Sequence, residues 1–158
     1  MNDSSSKTSS KKGFNANARR QARTYALQAL YQWQIAGHAL NEVEAQFRTQ
    51  FDFANADLAY FHELLHEIPA HLSDVQNSFI PHLDRKLDDL DPIELSVLRI
   101  GCYELLKRID VPYKVAINES VNLAKKFGAT DGHKYINGIL DKVAHEVRAV
   151  EISGSRNR

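Results

Sequence analysis

Between residues 17 and 148, apolar side chains recur three and four positions apart and almost nowhere alternate, the spacing of a helical face and not of a strand. That pattern restricts the chain to an all-α architecture, a compact bundle of six or seven helices. The clearest element is "DPIELSVLRIGCYELLKRI" at 91–109, where Asp91 is placed to cap, Pro92 occupies the first turn and Glu94 follows three residues after Asp91. Its buried side is expected to carry Leu98, Gly101, Cys102, Leu105 and Ile109. A first helix is predicted from about Asn17 to Ala36, with Ala22, Ala26, Ala29, Leu30 and Trp33 on one side and Gly37 as its stop. A short second helix carries Val43 and Phe47. A third starts near Asn55 or Asp57 and must end or kink at Pro69, because proline has no N–H to give. Leu72, Val75 and Phe79 form a further stripe. Two more helices cover Val115 to Phe127 and about Asp131 to Arg148, the latter with Ile136, Ile139, Leu140, Val143 and Val147 inside.

At 158 residues and 43% hydrophobic, the chain suffices for one ordinary domain without disulfides. Residues 1–16 and 151–158 are too polar to repay the entropy of ordering and are expected to be disordered tails around a single domain at 17–150. The lone cysteine, Cys102, lies in an apolar run, which argues for a buried thiol in a reducing, cytoplasmic compartment. No stretch is long and apolar enough for a membrane span, and the N-terminus lacks the apolar centre of a signal peptide.

Net charge is zero, but residues 1–24 carry Lys7, Lys11, Lys12, Arg19, Arg20 and Arg23 against Asp3, while 84–94 carry Asp84, Asp88, Asp89, Asp91 and Glu94 against Arg85 and Lys86. Two different partners are therefore conceivable. Arg19, Arg20 and Arg23 occupy first-helix positions where cations oppose the helix dipole. They suit a nucleic-acid backbone, although a solvated helix start reads equally well from the residues alone.

Residues 62–66 read "HELLH", the H-E-x-x-H spacing that puts two histidines on one helical face to bind zinc. A zinc-dependent hydrolase needs a third ligand. The extended pattern would have glycine and histidine where Pro69 and Leu72 stand, and no strand-like segment precedes it to cradle a substrate. The preferred reading is a half-exposed boundary face, with no metal, no cofactor and no catalytic set. A second near miss, "GATDGHK" at 128–134, lacks the spacing and the preceding strand of a P-loop. It reads as a helix–helix turn closed by Gly128 and capped by Thr130 or Asp131. An enzyme is disfavoured; a helical scaffold binding only protein is the blander alternative.

"RRQARTYALQALYQWQ" and "VLRIGCYELLKRIDVPYKVAINESVNLAKKFGATDGHKYINGILDKVA" resemble the opening and the long C-terminal signature of the NusB family of bacterial transcription antitermination factors, over about residues 18–148. The resemblance implies two helical subdomains and a non-enzymatic role. It implies binding of boxA, a short single-stranded element of ribosomal RNA transcripts, together with NusE, a small-subunit ribosomal protein. NusA, NusG and RNA polymerase complete the antitermination complex, and some family members also form homodimers. Carried over by position, Arg19, Arg20 and Arg23 would contact RNA phosphates. Phe127, Asp131 and Tyr135, with Lys134 as a weaker addition, would lie on the RNA-binding surface. Read from the residues alone, both aromatics are rather core and Asp131 a cap. Tyr31, Glu94 and Arg99 match positions at or near the NusE surface, and the acidic run 84–94 would face that basic protein. Thr24 and Gly132 depart from the family's usual glutamate and serine.

Overall fold

The computed structural model describes the backbone of residues 4–156 and the side chains of residues 16–154. Among the described residues there are eight α-helices, two short 3-10 turns and no strand. The helices are α1 (Ser4–Ala36), α2 (Leu40–Gln50), α3 (Leu58–Ala70), α4 (Leu72–Phe79), α5 (Pro92–Lys107), α6 (Tyr113–Phe127), α7 (Gly132–Val147) and α8 (Ala149–Arg156). The chain divides into two units, Met1–Glu67 and Ile68–Arg158, with the boundary near the end of α3.

In the N-terminal unit, α1 already runs at Ser4, ahead of the start expected at Asn17. Of the tail expected at 1–16, residues 1–3 lie outside the described backbone and 1–15 outside the described side chains. Ala22, Ala26, Ala29 and Leu30 are fully buried, and Trp33 is only partly so. Gly37 closes the helix at φ +71°, donating its N–H to the Trp33 carbonyl at 2.9 Å, a left-handed geometry that favours glycine. The turn releases α2 to pack beside α1, where Gln32 donates to Gln46 across the pair at 2.8 Å. Asp57 caps α3 by accepting the Tyr60 N–H at 3.0 Å, while its own N–H reaches the Ala18 carbonyl. Five rings fill the unit: Tyr25 lies 5.0 and 4.8 Å from Phe51 and Phe53, and Phe61 lies 6.0 and 5.0 Å from Phe47 and Phe53. Pro69 sits one residue before the end of α3, so the helix stops almost where its missing donor first tells.

In the C-terminal unit, α5 is buried continuously from Glu94 to Leu105 and is packed by α4, α6 and α7. Asp91 caps it through one oxygen, Oδ2, which accepts the N–H groups of Ile93 and Glu94 at 3.1 and 3.2 Å. A Cβ at Gly101 would stand 2.7 Å from Ser120 Oγ and 3.0 Å from the Leu140 methyls. Glycine there lets α6 and α7 come close to α5. At the other end, the buried Arg148 donates to the carbonyls of Leu105, Glu104 and Arg108 at 2.9, 3.1 and 3.0 Å. These are the orphan acceptors of a helix C-terminus, met here by a cation suited to the dipole.

Two expectations for this unit are corrected. Ile109 is 82% exposed, because α5 ends at Lys107 and Arg108 turns to clasp Asp110 through Nε and Nη2 at 2.9 and 3.0 Å. Val147 is 38% exposed, because it is the last residue of α7 and the buried position passes to Arg148. The chain also stays helical past 150. Ile152 of α8 is buried, and the Glu151 carboxylate accepts from the Tyr113 N–H and the Arg148 guanidinium. That anchoring outweighs the polar composition and adds the helix beyond the six or seven expected. Cys102 is buried as expected, and burial pushes its thiol up to about 12, far from the reactive thiolate range.

Candidate nucleic-acid interface

The three arginines of α1 have different surroundings. Arg20 is exposed, and its Nη1 donates to Asn17 at 3.3 Å. Arg19 is half-buried, its Nε 3.8 Å from an Asp57 oxygen and its guanidinium 4.7 Å from the centre of the Tyr60 ring. Arg23 is only 4% exposed, 5.6 Å from the same ring centre. Tyr60 thus holds two guanidinium groups by its π face. Of the three, Arg20 is the most exposed.

In the C-terminal unit, Phe127 closes α6 and Tyr135 lies in the first turn of α7, either side of the turn at 128–131. Gly128 ends α6 in an extended conformation, and a Cβ there would meet the Ala124 carbonyl oxygen at 2.8 Å. Asp131 occupies the cap position of α7, but its side chain accepts no capping bond. The carboxylate is turned outward with Lys134 Nζ 3.8 Å away, the two side chains 79% and 75% exposed. The side-chain cap read at Asp131 is therefore corrected: the turn closes over Thr130 and Asp131 by the Gly132 N–H reaching the Ala129 carbonyl, and the aspartate carboxylate takes no part. Phe127 is half-buried under Lys126, whose Nζ lies 5.3 Å from the ring centre.

Tyr135 is held by a group that the sequence did not reveal. Its hydroxyl donates to Asp84 Oδ1 at 2.8 Å and accepts the Asp84 N–H at 3.1 Å. Arg85 lies over the ring at 4.5 Å and donates to both oxygens of Asp84 at 2.6 and 3.2 Å. The guanidinium first, and the phenol second, hold the Asp84 carboxyl down to about 2. The ring is neither core nor bare, being oriented at its rim and covered by a cation.

Of the residues assigned to a protein partner, Tyr31 is 36% exposed, whereas Glu94 and Arg99 are 7% and 6% exposed. Arg99 binds the Gln76 side-chain oxygen through Nε and Nη2 at 3.1 and 2.7 Å, and burial lowers it to about 10. Glu94 lies against Gly132, where a Cβ would stand within 2.3 Å of its Oε2, and burial first and Asp91 second raise its carboxyl. The acidic run is thus divided: Asp84 serves Tyr135, Asp91 caps α5, Glu94 is buried, and Asp88 and Asp89 stay exposed.

His62 and His66 occupy the boundary face expected of them, with a third group from α2 between them. Glu44 Oε1 lies 2.8 Å from His62 Nδ1 and 2.6 Å from His66 Nε2.

Residues 20–145 match the sequence model of the NusB family. The transcription antitermination protein NusB of Pseudomonas savastanoi pv. phaseolicola is 56% identical over 138 residues, 87% of this chain and 84% of that protein. Its counterpart in Saccharophagus degradans is 55% identical over 142 residues, 89% and 95% of the two chains. The solved structure of T. maritima NusB superposes with a TM-score of 0.69 at 28% identity, covering 81% of this chain and 91% of that one. The chain belongs to the NusB family.

Within this NusB-family chain, Thr24 and Gly132 each have a local packing reason. Thr24 is buried and returns its hydroxyl to the Arg20 carbonyl at 3.2 Å, a bond that a longer carboxylate cannot make. Gly132 leaves room for the inward Glu94, whose Oε2 would stand 2.3 Å from a Cβ there. The pairings of Arg85 and Asp84 with Tyr135, and of Glu44 with the two histidines, were not legible in the sequence for one reason. Each reaches its partner across 18 to 51 residues, and no local period signals such a pairing. Among the described residues, no helix is long and apolar enough to cross a membrane.

Proposed function

We propose that this chain is a transcription antitermination factor that binds boxA single-stranded RNA of ribosomal RNA transcripts together with NusE, and joins NusA, NusG and RNA polymerase. The match to the NusB family along residues 20–145 carries this reading, supported by relatives named as transcription antitermination proteins. The geometry supports an RNA ligand in particular. Arg20 and Lys134 offer exposed cations for phosphates, and Phe127 and Tyr135 offer partly exposed rings for unstacked bases. The uncapped Asp131 can accept hydrogen bonds from base N–H or ribose 2′-OH groups.

The buried residues take supporting parts. Arg23 shares Tyr60 with Arg19 and so positions it; Glu94 and Arg99 shape α5 from within, and Tyr31, Asp88 and Asp89 are left to meet NusE. The test is to titrate the full chain, with NusE present, against boxA RNA and a scrambled RNA of equal length. Preference for boxA is expected; equal affinities would overturn the proposal. Arg20→Ala should weaken both RNAs alike, since phosphates carry no sequence.

A further inference from the structure

Histidines four apart on a helix are a metal-binding half-site awaiting a third ligand. On α3, His62 and His66 have their rings 4.2 Å apart and only 31° from parallel. The missing donor comes from α2. One ligand atom from each of Glu44, His62 and His66 falls within 4.8 Å of the others. Both imidazoles converge on one oxygen, Glu44 Oε1, through Nδ1 of His62 and Nε2 of His66. The second oxygen, Oε2, faces Arg48 Nη1 at 3.6 Å, which leaves Oε1 as a single-oxygen ligand and holds the carboxylate in orientation, as an outer-shell group does.

We propose that Glu44, His62 and His66 form a binding site for a divalent transition metal of the zinc class, which clips α2 to α3. Two imidazoles and a carboxylate are donors that suit zinc, and a water completes four-coordination. At zinc–ligand distances of about 2.0–2.1 Å, tetrahedral ligands stand roughly 3.4 Å apart. The nitrogens now 2.8 and 2.6 Å from Oε1 must open by less than an ångström. The His62 side chain is 57% exposed and free to give way, while His66 and Glu44, at 20% and 11%, form the fixed floor. Each facing nitrogen must present its lone pair, so both rings bind as neutral tautomers with the proton on the far nitrogen. The arrangement is a structural clip within one helical unit, independent of RNA binding.

The experiment titrates zinc(II) into the tag-free, chelator-stripped full chain by calorimetry, with thermal melting in parallel. One equivalent should bind and raise the melting temperature, and a chelator should reverse both. His66→Ala and Glu44→Gln should weaken binding at least about tenfold, the loss that even an outer-shell change produces; His38→Ala, on an exposed turn, should not. Absence of binding at roughly 100 μM zinc, far above the affinities of built zinc sites, would overturn the proposal. So would a bound equivalent that persists in both variants, which assigns it to other surface histidines. Should a variant misfold, cobalt(II) added to the wild-type chain decides: paramagnetic broadening of amides centred on residues 44, 62 and 66 supports the site, and broadening centred elsewhere overturns it.

Discussion

Tyr135 is fixed at its rim by Asp84 and covered on its face by Arg85. A base that stacks on that face must displace the guanidinium. An exposed cation–π contact contributes about 0.5–1 kcal/mol, and base stacking on an aromatic about 1–3 kcal/mol, so the exchange favours the base. Tyr135→Ala should therefore weaken boxA binding by a net ~1–2 kcal/mol, roughly five- to thirtyfold, measured by titration at fixed salt. The tether also has a pH signature. Asp84 is depressed from 3.8 to about 2 by Arg85 and Tyr135, so its contribution is complete above the ordinary value and is lost as pH falls through about 2. Tyr135 ring resonances should move over that window in the wild-type chain and stay still in Asp84→Asn.

Among the elements, α5 shows what could and could not be read beforehand. Its start was legible because Asp91 and Pro92 act within one turn, whereas the Glu94 carboxylate lies against Gly132 and adds no capping bond. Asp91→Ala should cost about 1 kcal/mol in urea unfolding, the ordinary worth of an N-cap. Its end was not legible: Ile109 continued the apolar period, yet the helix stops at Lys107, because the acceptors there are met by Arg148 from 40 to 44 residues away. Arg148→Ala should destabilise the chain by about 3–5 kcal/mol, since it leaves buried carbonyls unmet and Glu151 without its cation. The same contrast holds at the α6–α7 turn. Gly128 was recognisable as a stop, but whether Asp131 capped or faced solvent depended on a loop geometry that spacing does not encode.

For the molecule as a whole, zero net charge hides the terms that govern association, because screening acts on local charge. With about four or five phosphates neutralised, log K for single-stranded RNA should fall against log salt with a slope near −3; salt-independent binding would contradict a phosphate-tracking surface. The all-α class was legible from periodicity alone, since every buried stripe repeats at helical spacing. The division into two units rested on family resemblance, because nothing in the pattern marks a boundary inside α3. Order of synthesis gives the Arg148 cap a further meaning. A growing chain can complete its first 67 residues while the last carbonyls of α5 still lack their donor. Any nascent or truncated chain ending before residue 148 carries a central helix it cannot finish, so the second unit reaches its final form only once Arg148 is present.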